Sequence, residues 1–361
     1  MATTSLEISG AIPDENSPAA IDARRKEMQA LEQAALEILG PCLPDLKEST
    51  IDIQIPDGFV SQTIVIWPVL ERSRGNQTVE KCPLIVYFHG GSFTFDTPNF
   101  ALSPARAFAS YFGAIVACPS YKLAPENPFP APMQSAWEVV AWLSDPQNLN
   151  NGPLKHDGIE FDASLGFVLA GCSAGATISA VIAGIASAAR AGETELVRGL
   201  RSLVSPIGGL FLSLPHVVHR EIVPVKHASA FRSREENANA PIINATSLAN
   251  SEKRLKTDFH SPWFSPLNLD LREIREHHPR RVYVHGGQLD ILRDDAVIYE
   301  RVLREDGVAE TKVDVLDGYG HVGWVSLPFP EAHSPEVKET AMDGMAWLLD
   351  KDWDRSRPLP Y

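Results

Sequence analysis

Phe167-Val-Leu-Ala-Gly171-Cys-Ser173-Ala-Gly175-Ala176 reads as an apolar strand, a G-x-S-x-G turn and the opening of a helix of small residues. A serine hydroxyl is a weak nucleophile, so chemistry at Ser173 needs a base and a polarised carbonyl presented to it together. A sharp strand-to-helix turn does this: it lifts the side chain off a sheet and aims a helix N-terminus at developing negative charge. Glycine at 171 and 175 suits a turn where backbones approach too closely for a side chain. Five-residue strings of this kind also arise by chance, and a serine here could simply cap the helix. The apolar run at 166–170 and the Ala-rich stretch at 174–189 favour the nucleophile.

Acyl transfer by serine also needs a base, a group that orients the base, and donors for an oxyanion. In an open parallel sheet these gather in loops past the C-terminal ends of strands. The buried-strand pattern at 83–88 runs into His89-Gly90-Gly91-Ser92-Phe93. Paired glycines let backbone N–H groups turn into a cavity, so Gly90, Gly91 and Ser92, with Ala174 after the nucleophile, are the expected oxyanion hole. An ordinary glycine turn is the bland alternative. His89 closes the strand and is expected to order the loop rather than act as base.

The acid is sought after the strand at 281–285, in His285-Gly-Gly-Gln-Leu-Asp290-Ile-Leu-Arg-Asp294. Asp290 is preferred. Its rivals are Asp294 and Asp295, and Asp294 is expected at solvent or as a cap in the first turn of the helix at 293–305, with Arg293 paired to a nearby carboxylate. The base is sought after the strand at 311–316, where Asp317-Gly-Tyr-Gly-His321 gives an imidazole a glycine-rich loop to reach across. His216, His219, His227, His277 and His278 lie in polar stretches and are expected to be exposed. The order Ser173, Asp290, His321 is that of the α/β-hydrolase fold and differs from the other serine-triad architectures.

The remaining chain fits a single α/β domain. Its 361 residues exceed a minimal domain and suit one large sheet with an insertion. Residues 1–17 are expected to be a disordered tail, and 18–361 one domain. A helix is predicted over 19–39, ended by Gly40-Pro41, and it serves either as packing or as cover for the site. Antiparallel strands are expected at 51–55 and 63–69, then a polar loop at 71–81. Strands and helices then alternate, with a strand region expected at both 200–204 and 208–212, which implies a mostly parallel, doubly wound sheet. Periodicity fails over about 213–265, too long for a bare loop in a compact core, so this insertion and residues 19–47 are expected to form a cap.

A formal net charge of −14 argues against a nucleic-acid partner, which would want a basic face. No stretch is read as a membrane span, and Met1–Pro18 lacks the apolar core of a secretory signal. Cys42, Cys82, Cys118 and Cys172 are far apart and without a C-x-x-C pair, so they are expected to be reduced thiols in a cytoplasmic protein.

His89-Gly-Gly-Ser-Phe93, Tyr121-Lys-Leu-Ala-Pro-Glu126, Gly171-Cys-Ser-Ala-Gly175, Asp290-Ile-Leu-Arg-Asp294 and Gly320-His321 together resemble the hormone-sensitive-lipase-like family of α/β-hydrolases, which includes many microbial carboxylesterases. They occur in the family's order across about 83–325. The resemblance implies an α/β-hydrolase fold with a helical cap, and it assigns nucleophile, acid and base to Ser173, Asp290 and His321. It departs from the family at Cys172, where aspartate is common, at Ser92 in place of a third glycine, and at Ile291 in place of proline. Cys172 is read as a small buried hydrophobe.

The function expected is hydrolysis of small-molecule carboxylic esters, of short to medium acyl chain, through an acyl-enzyme, with no metal or organic cofactor. The alternatives are a specialised acyltransferase, lactonase, cyclase or dehydratase on the same fold, and a non-catalytic ligand receptor. Retention of His321 speaks against the receptor. Phe93, Phe95, Trp263, Phe264 and Trp324 are the aromatic candidates for the substrate pocket, with plain core packing as the alternative for each.

Overall fold

The computed structural model describes residues 14–69 and 79–361. Most of the expected tail and most of the polar loop at 71–81 lie outside the described residues. Helix α1 (Pro18–Leu39) starts where the Ser17 hydroxyl accepts the Ala20 N–H with proline at the first helical position, and ends at Gly40 with φ +71°. Strands β1 (Leu46–Gln54) and β2 (Val60–Pro68) pair antiparallel. After β3 (Glu80–Cys82) and β4 (Leu84–Phe88) come α2 (Leu102–Phe112), β5 (Ile115–Pro119), α3 (Ala131–Leu143) and α4 (Pro146–Asn150). Then β6 (Ile159–Phe161) pairs with β3 in a small separate sheet. Strand β7 (Phe167–Cys172) leads into α5 (Ala174–Ala191), followed by β8 (Gly209–Ser213). The insertion carries α6 (Ser233–Glu236), α7 (Ala245–Leu255) and α8 (Leu271–Ile274). The chain closes with β9 (Arg281–Gly287), α9 (Arg293–Glu305), β10 (Glu310–Leu316) and α10 (Pro335–Leu349).

The main sheet runs β1-β2-β5-β4-β7-β8-β9-β10 and is parallel from β5 onward. Its central strands are buried on both faces, which explains their unbroken apolar runs. The period of two still sorts their side chains. Leu84, Val86 and Phe88 enter one core with residues of α3, α5 and α9, while Ile85 and Tyr87 enter the other with α2 and α10. Each such fully buried side chain contributes about 1.5–3 kcal/mol. Among the described residues α5 alone has the length and hydropathy of a bilayer span, and 83% of it is buried inside the protein as the central helix of one core.

The strand expected at 200–204 is absent. Its backbone is satisfied by α3 and the residue that caps it instead: Arg201 N–H donates to Glu138, Val204 N–H to the Ser144 hydroxyl, and the Arg201 carbonyl accepts the Trp137 indole N–H. Leu200 and Leu203 pack on the core from this irregular segment. The four cysteines are free, with Cys82, Cys118 and Cys172 buried.

Candidate active site

Four strand ends converge on Ser173. The serine follows β7 with φ +55° and ψ −119°, a rarely populated conformation that points its side chain off the sheet. Neighbouring backbone holds it there. A β-carbon at Gly171 would stand 2.3 Å from the Gly175 carbonyl carbon, and one at Gly175 would stand 2.1 Å from the Phe88 oxygen. Only glycine fits at either place. Helix α5 begins without a side-chain cap, so its first N–H groups, Ala174 foremost, remain available near the Ser173 hydroxyl.

The imidazole of His321, on the loop after β10, bridges serine and acid. Its Nε2 lies 2.9 Å from Ser173 Oγ, and its Nδ1 lies 2.8 Å from Asp290 Oδ2. An ionised carboxylate can only accept, so Nδ1–H donates to Asp290 and Nε2 is left to accept the serine proton. Asp290 is fully buried, and its Oδ1 accepts the Leu292 N–H. Glycine admits this approach too: a β-carbon at Gly287 would meet the Gly320 oxygen at 2.0 Å.

The two rival aspartates hold the insertion instead. Asp294 is buried rather than at solvent, and its Oδ2 accepts the N–H groups of Arg232 (2.5 Å) and Ser233 (2.6 Å). Asp295 accepts from Val217 and Val218 and forms an ion pair with Arg234 at 2.8 Å. Burial pushes its carboxyl up to about 7, against the pull of Arg234. Arg293 pairs with Asp294 and Glu236. Thus the first turn of α9 anchors the first half of the insertion.

The glycine loop lies against the serine. A β-carbon at Gly90 would be 3.4 Å from Ser173 Cβ, and Gly91 has φ +90°. The carbonyls of Gly91 and Ser92 are engaged by Thr94, Phe95 and Ser251, while the N–H groups of Gly90, Gly91 and Ser92 donate to no acceptor among the described residues. His89 is buried, stacked on Tyr121 at 4.4 Å, and donates Nδ1–H to the Gly90 carbonyl. Burial lowers its pKa to about 4. Tyr121 donates to the His89 and Gly90 carbonyls. This pair fixes the loop. Cys172 is buried, and burial pushes its thiol up to about 12, so it carries no thiolate.

A cavity of about 470 Å³ opens over Ser173 and His321. Gly91 and Ser92 form part of its wall, α1 supplies Ala20, Arg24 and Met28, and the insertion supplies Ile242, Ile243, Ser247, Asn250 and Arg254. Phe95, Phe100, Val322, Val325, Leu327 and Phe329 give it an apolar lining. Of the other aromatic candidates, Phe93, Trp263, Phe264 and Trp324 stand outside this wall. Phe93 is core, Trp263 packs edge-on to Trp137, Phe264 on His216 and Phe259, and Trp324 on Phe108. His216, His227 and His278 are buried rather than exposed. Asp96 also lines the cavity, a carboxyl that the sequence reading passed over, and its one sequence signal is a charge inside Phe93-Thr-Phe-Asp96-Thr. No cluster of His, Cys, Asp or Glu among the described residues could hold a metal ion.

A family profile described as α/β hydrolase fold matches residues 85–325. A carboxylesterase of Mycobacterium tuberculosis, NlhH, is 30% identical over 277 residues, 74% of this chain and 72% of its own. Esterase LipI of the same organism is 28% identical over 296 residues, 80% of this chain and 78% of its own. Among solved structures, a vibralactone cyclase superposes with TM-score 0.74 at 22% identity, covering 94% of this chain and 92% of its own.

Proposed function

The chain belongs to the hormone-sensitive-lipase-like family of the α/β-hydrolase fold, and on that premise we propose that it cleaves carboxylic esters through an acyl-enzyme on Ser173. The observation that carries this reading is the unbroken contact from Asp290 through His321 to the Ser173 hydroxyl, at 2.8 and 2.9 Å. In the first step Ser173 Oγ attacks the ester carbonyl and its proton passes to His321 Nε2. The oxyanion is received by N–H groups of Gly90, Gly91, Ser92 and Ala174. Removing one such donor typically costs about 10²–10³ in turnover. His321 then gives the proton to the leaving alkoxide, which departs as alcohol. Water enters, His321 takes a proton from it, the hydroxide attacks the acyl carbonyl, and His321 returns the proton to Ser173 Oγ as that oxygen departs and the acid is released. Asp290 keeps Nδ1 protonated and stabilises the imidazolium.

Short- to medium-chain esters of small molecules suit the cavity, since about 470 Å³ lies within the range of small-ligand sites and Phe100, Leu327 and Phe329 offer apolar surface. The test is hydrolysis of p-nitrophenyl acetate, butyrate and octanoate by the wild type and Ser173→Ala. The variant should lose about 10⁴–10⁶-fold in turnover. Turnover equal to the wild type would overturn the assignment.

A further inference from the structure

We propose that Asp96 is a specificity residue, its carboxyl hydrogen-bonding a hydroxyl that the substrate carries a few bonds from the scissile carbonyl, so that the preferred substrates are small hydroxylated esters. The proposal rests on the ester-hydrolase reading of the same cavity.

Asp96 borders the cavity over Ser173 and His321. Its Oδ1 is shut off from solvent and has no hydrogen-bond partner in the protein. Buried polar groups are nearly always paired, so a carboxyl on the cavity wall with an orphan oxygen points to a partner that arrives with the substrate. The carboxyl is also held at a definite place. Oδ2 stands 2.8 Å from where a β-carbon on Gly91 would be, so it packs directly over one of the proposed oxyanion donors. Its backbone has φ +65°, a region that aspartate, asparagine and glycine tolerate and most residues avoid. The same wall carries Phe95, Phe100 and Val325.

The occupant is a hydroxyl rather than a cation. A full negative charge beside the oxyanion donors would oppose the charge they are to stabilise. Burial pushes the Asp96 carboxyl up to about 7, with the charge of Glu32 adding to this and Arg24 opposing it. A hydroxyl suits either form of such a carboxyl: it donates to the ionised form, and both donates to and accepts from the protonated one.

The test compares ethyl butyrate, ethyl 3-hydroxybutyrate and ethyl 3-aminobutyrate on the wild type, Asp96→Asn and Asp96→Gly. Both replacements accept the positive φ, so the loop is kept. The readout is the ratio of kcat/KM for the hydroxy ester to that for the plain ester, which general damage does not move. Asp96→Gly should lower this ratio by about tenfold, and Asp96→Asn, which keeps a donor and an acceptor, by no more than about threefold. An unchanged ratio in Asp96→Gly, or a wild-type preference for the amino ester, overturns the proposal. Calorimetric binding of the same esters to Ser173→Ala, with and without Asp96→Gly, separates the two layers. If no ester is turned over by the wild type, the hydrolase reading fails. A selective loss of hydroxy-ester affinity on removing Asp96 still upholds the subsite, and an equal loss for both esters sinks it.

Discussion

A β-carbon on Gly175 would stand 2.1 Å from the carbonyl oxygen of Phe88, the residue that ends β4. The nucleophile turn and the glycine loop are therefore held by backbone against backbone, with no flexible side chain to yield. Gly175→Ala should cost about 1–3 kcal/mol or more, and lower esterase activity with it, because the strand end bearing His89–Gly91 must move. At Gly208 the nearest atom to a β-carbon is 3.7 Å away, so Gly208→Ala should change stability by about 0.5 kcal/mol or less. Urea unfolding of both variants checks this; equal losses would contradict it.

Asp290 sets the tautomer of His321, with Oδ2 2.8 Å from Nδ1. An amide there keeps the shape but presents a neutral group that can donate, which favours the wrong tautomer. Asp290→Asn should lower kcat by about 10³–10⁴-fold while KM changes little. Steady-state kinetics on p-nitrophenyl butyrate reads this, and a loss confined to KM would argue that Asp290 acts in binding.

Helix α1 is tied to the segment that carries Asp96. Glu32 accepts from both Thr97 N–H and Thr97 Oγ, each at 2.9 Å, and Arg25 donates to the carbonyls of Thr94 and Ala124. Bonds to an ionised group each contribute about 1.5–3 kcal/mol. Glu32→Ala should loosen the helix, with faster amide hydrogen exchange over 18–39 and kcat/KM reduced about tenfold. Unaltered exchange would mean the helix is held by its apolar face alone.

His278, which takes no part in the proposed chemistry, gives a pH-dependent term to stability. It is buried, its Nδ1–H donates to the Pro279 carbonyl, and burial lowers its pKa to about 4. The unfolded chain binds a proton near pH 6.5 that the folded protein refuses until about pH 4. Its contribution is therefore fully present above pH 6.5 and lost as pH falls through that window. Relative to His278→Gln, the wild type should lose up to about 1.4 kcal/mol per pH unit between those limits. Parallel stability–pH curves would refute this.

Local backbone chemistry made most of the site legible in the sequence. Gly90, Gly91, Ser173, Asp290 and His321 each follow a strand, and the glycines between them mark places where chains touch. Of the five aromatic candidates for the pocket wall, Phe95 lines the cavity and the other four do not. Phe93, Trp263, Phe264 and Trp324 are buried as their composition suggests, but aromatic character does not say which side of a wall a ring occupies. The segment at 200–204 has strand-like residues, yet Glu138 on α3 and Ser144 just past its end supply its hydrogen bonds. Asp294 resembles an exposed first-turn acid until the insertion returns to place Arg232 and Ser233 upon it. Each of these depends on contacts distant in sequence, which periodicity does not carry.

The central claim is that Ser173 is the nucleophile activated by His321. It is tested most directly by labelling the intact protein with a fluorophosphonate and mapping the modified peptide by mass spectrometry. One adduct is predicted, on Ser173 in the peptide spanning β7 and α5, formed rapidly by the wild type and slowed at least about 10³-fold in His321→Ala. An adduct on another residue, or labelling of Ser173 that is indifferent to His321, would contradict the account.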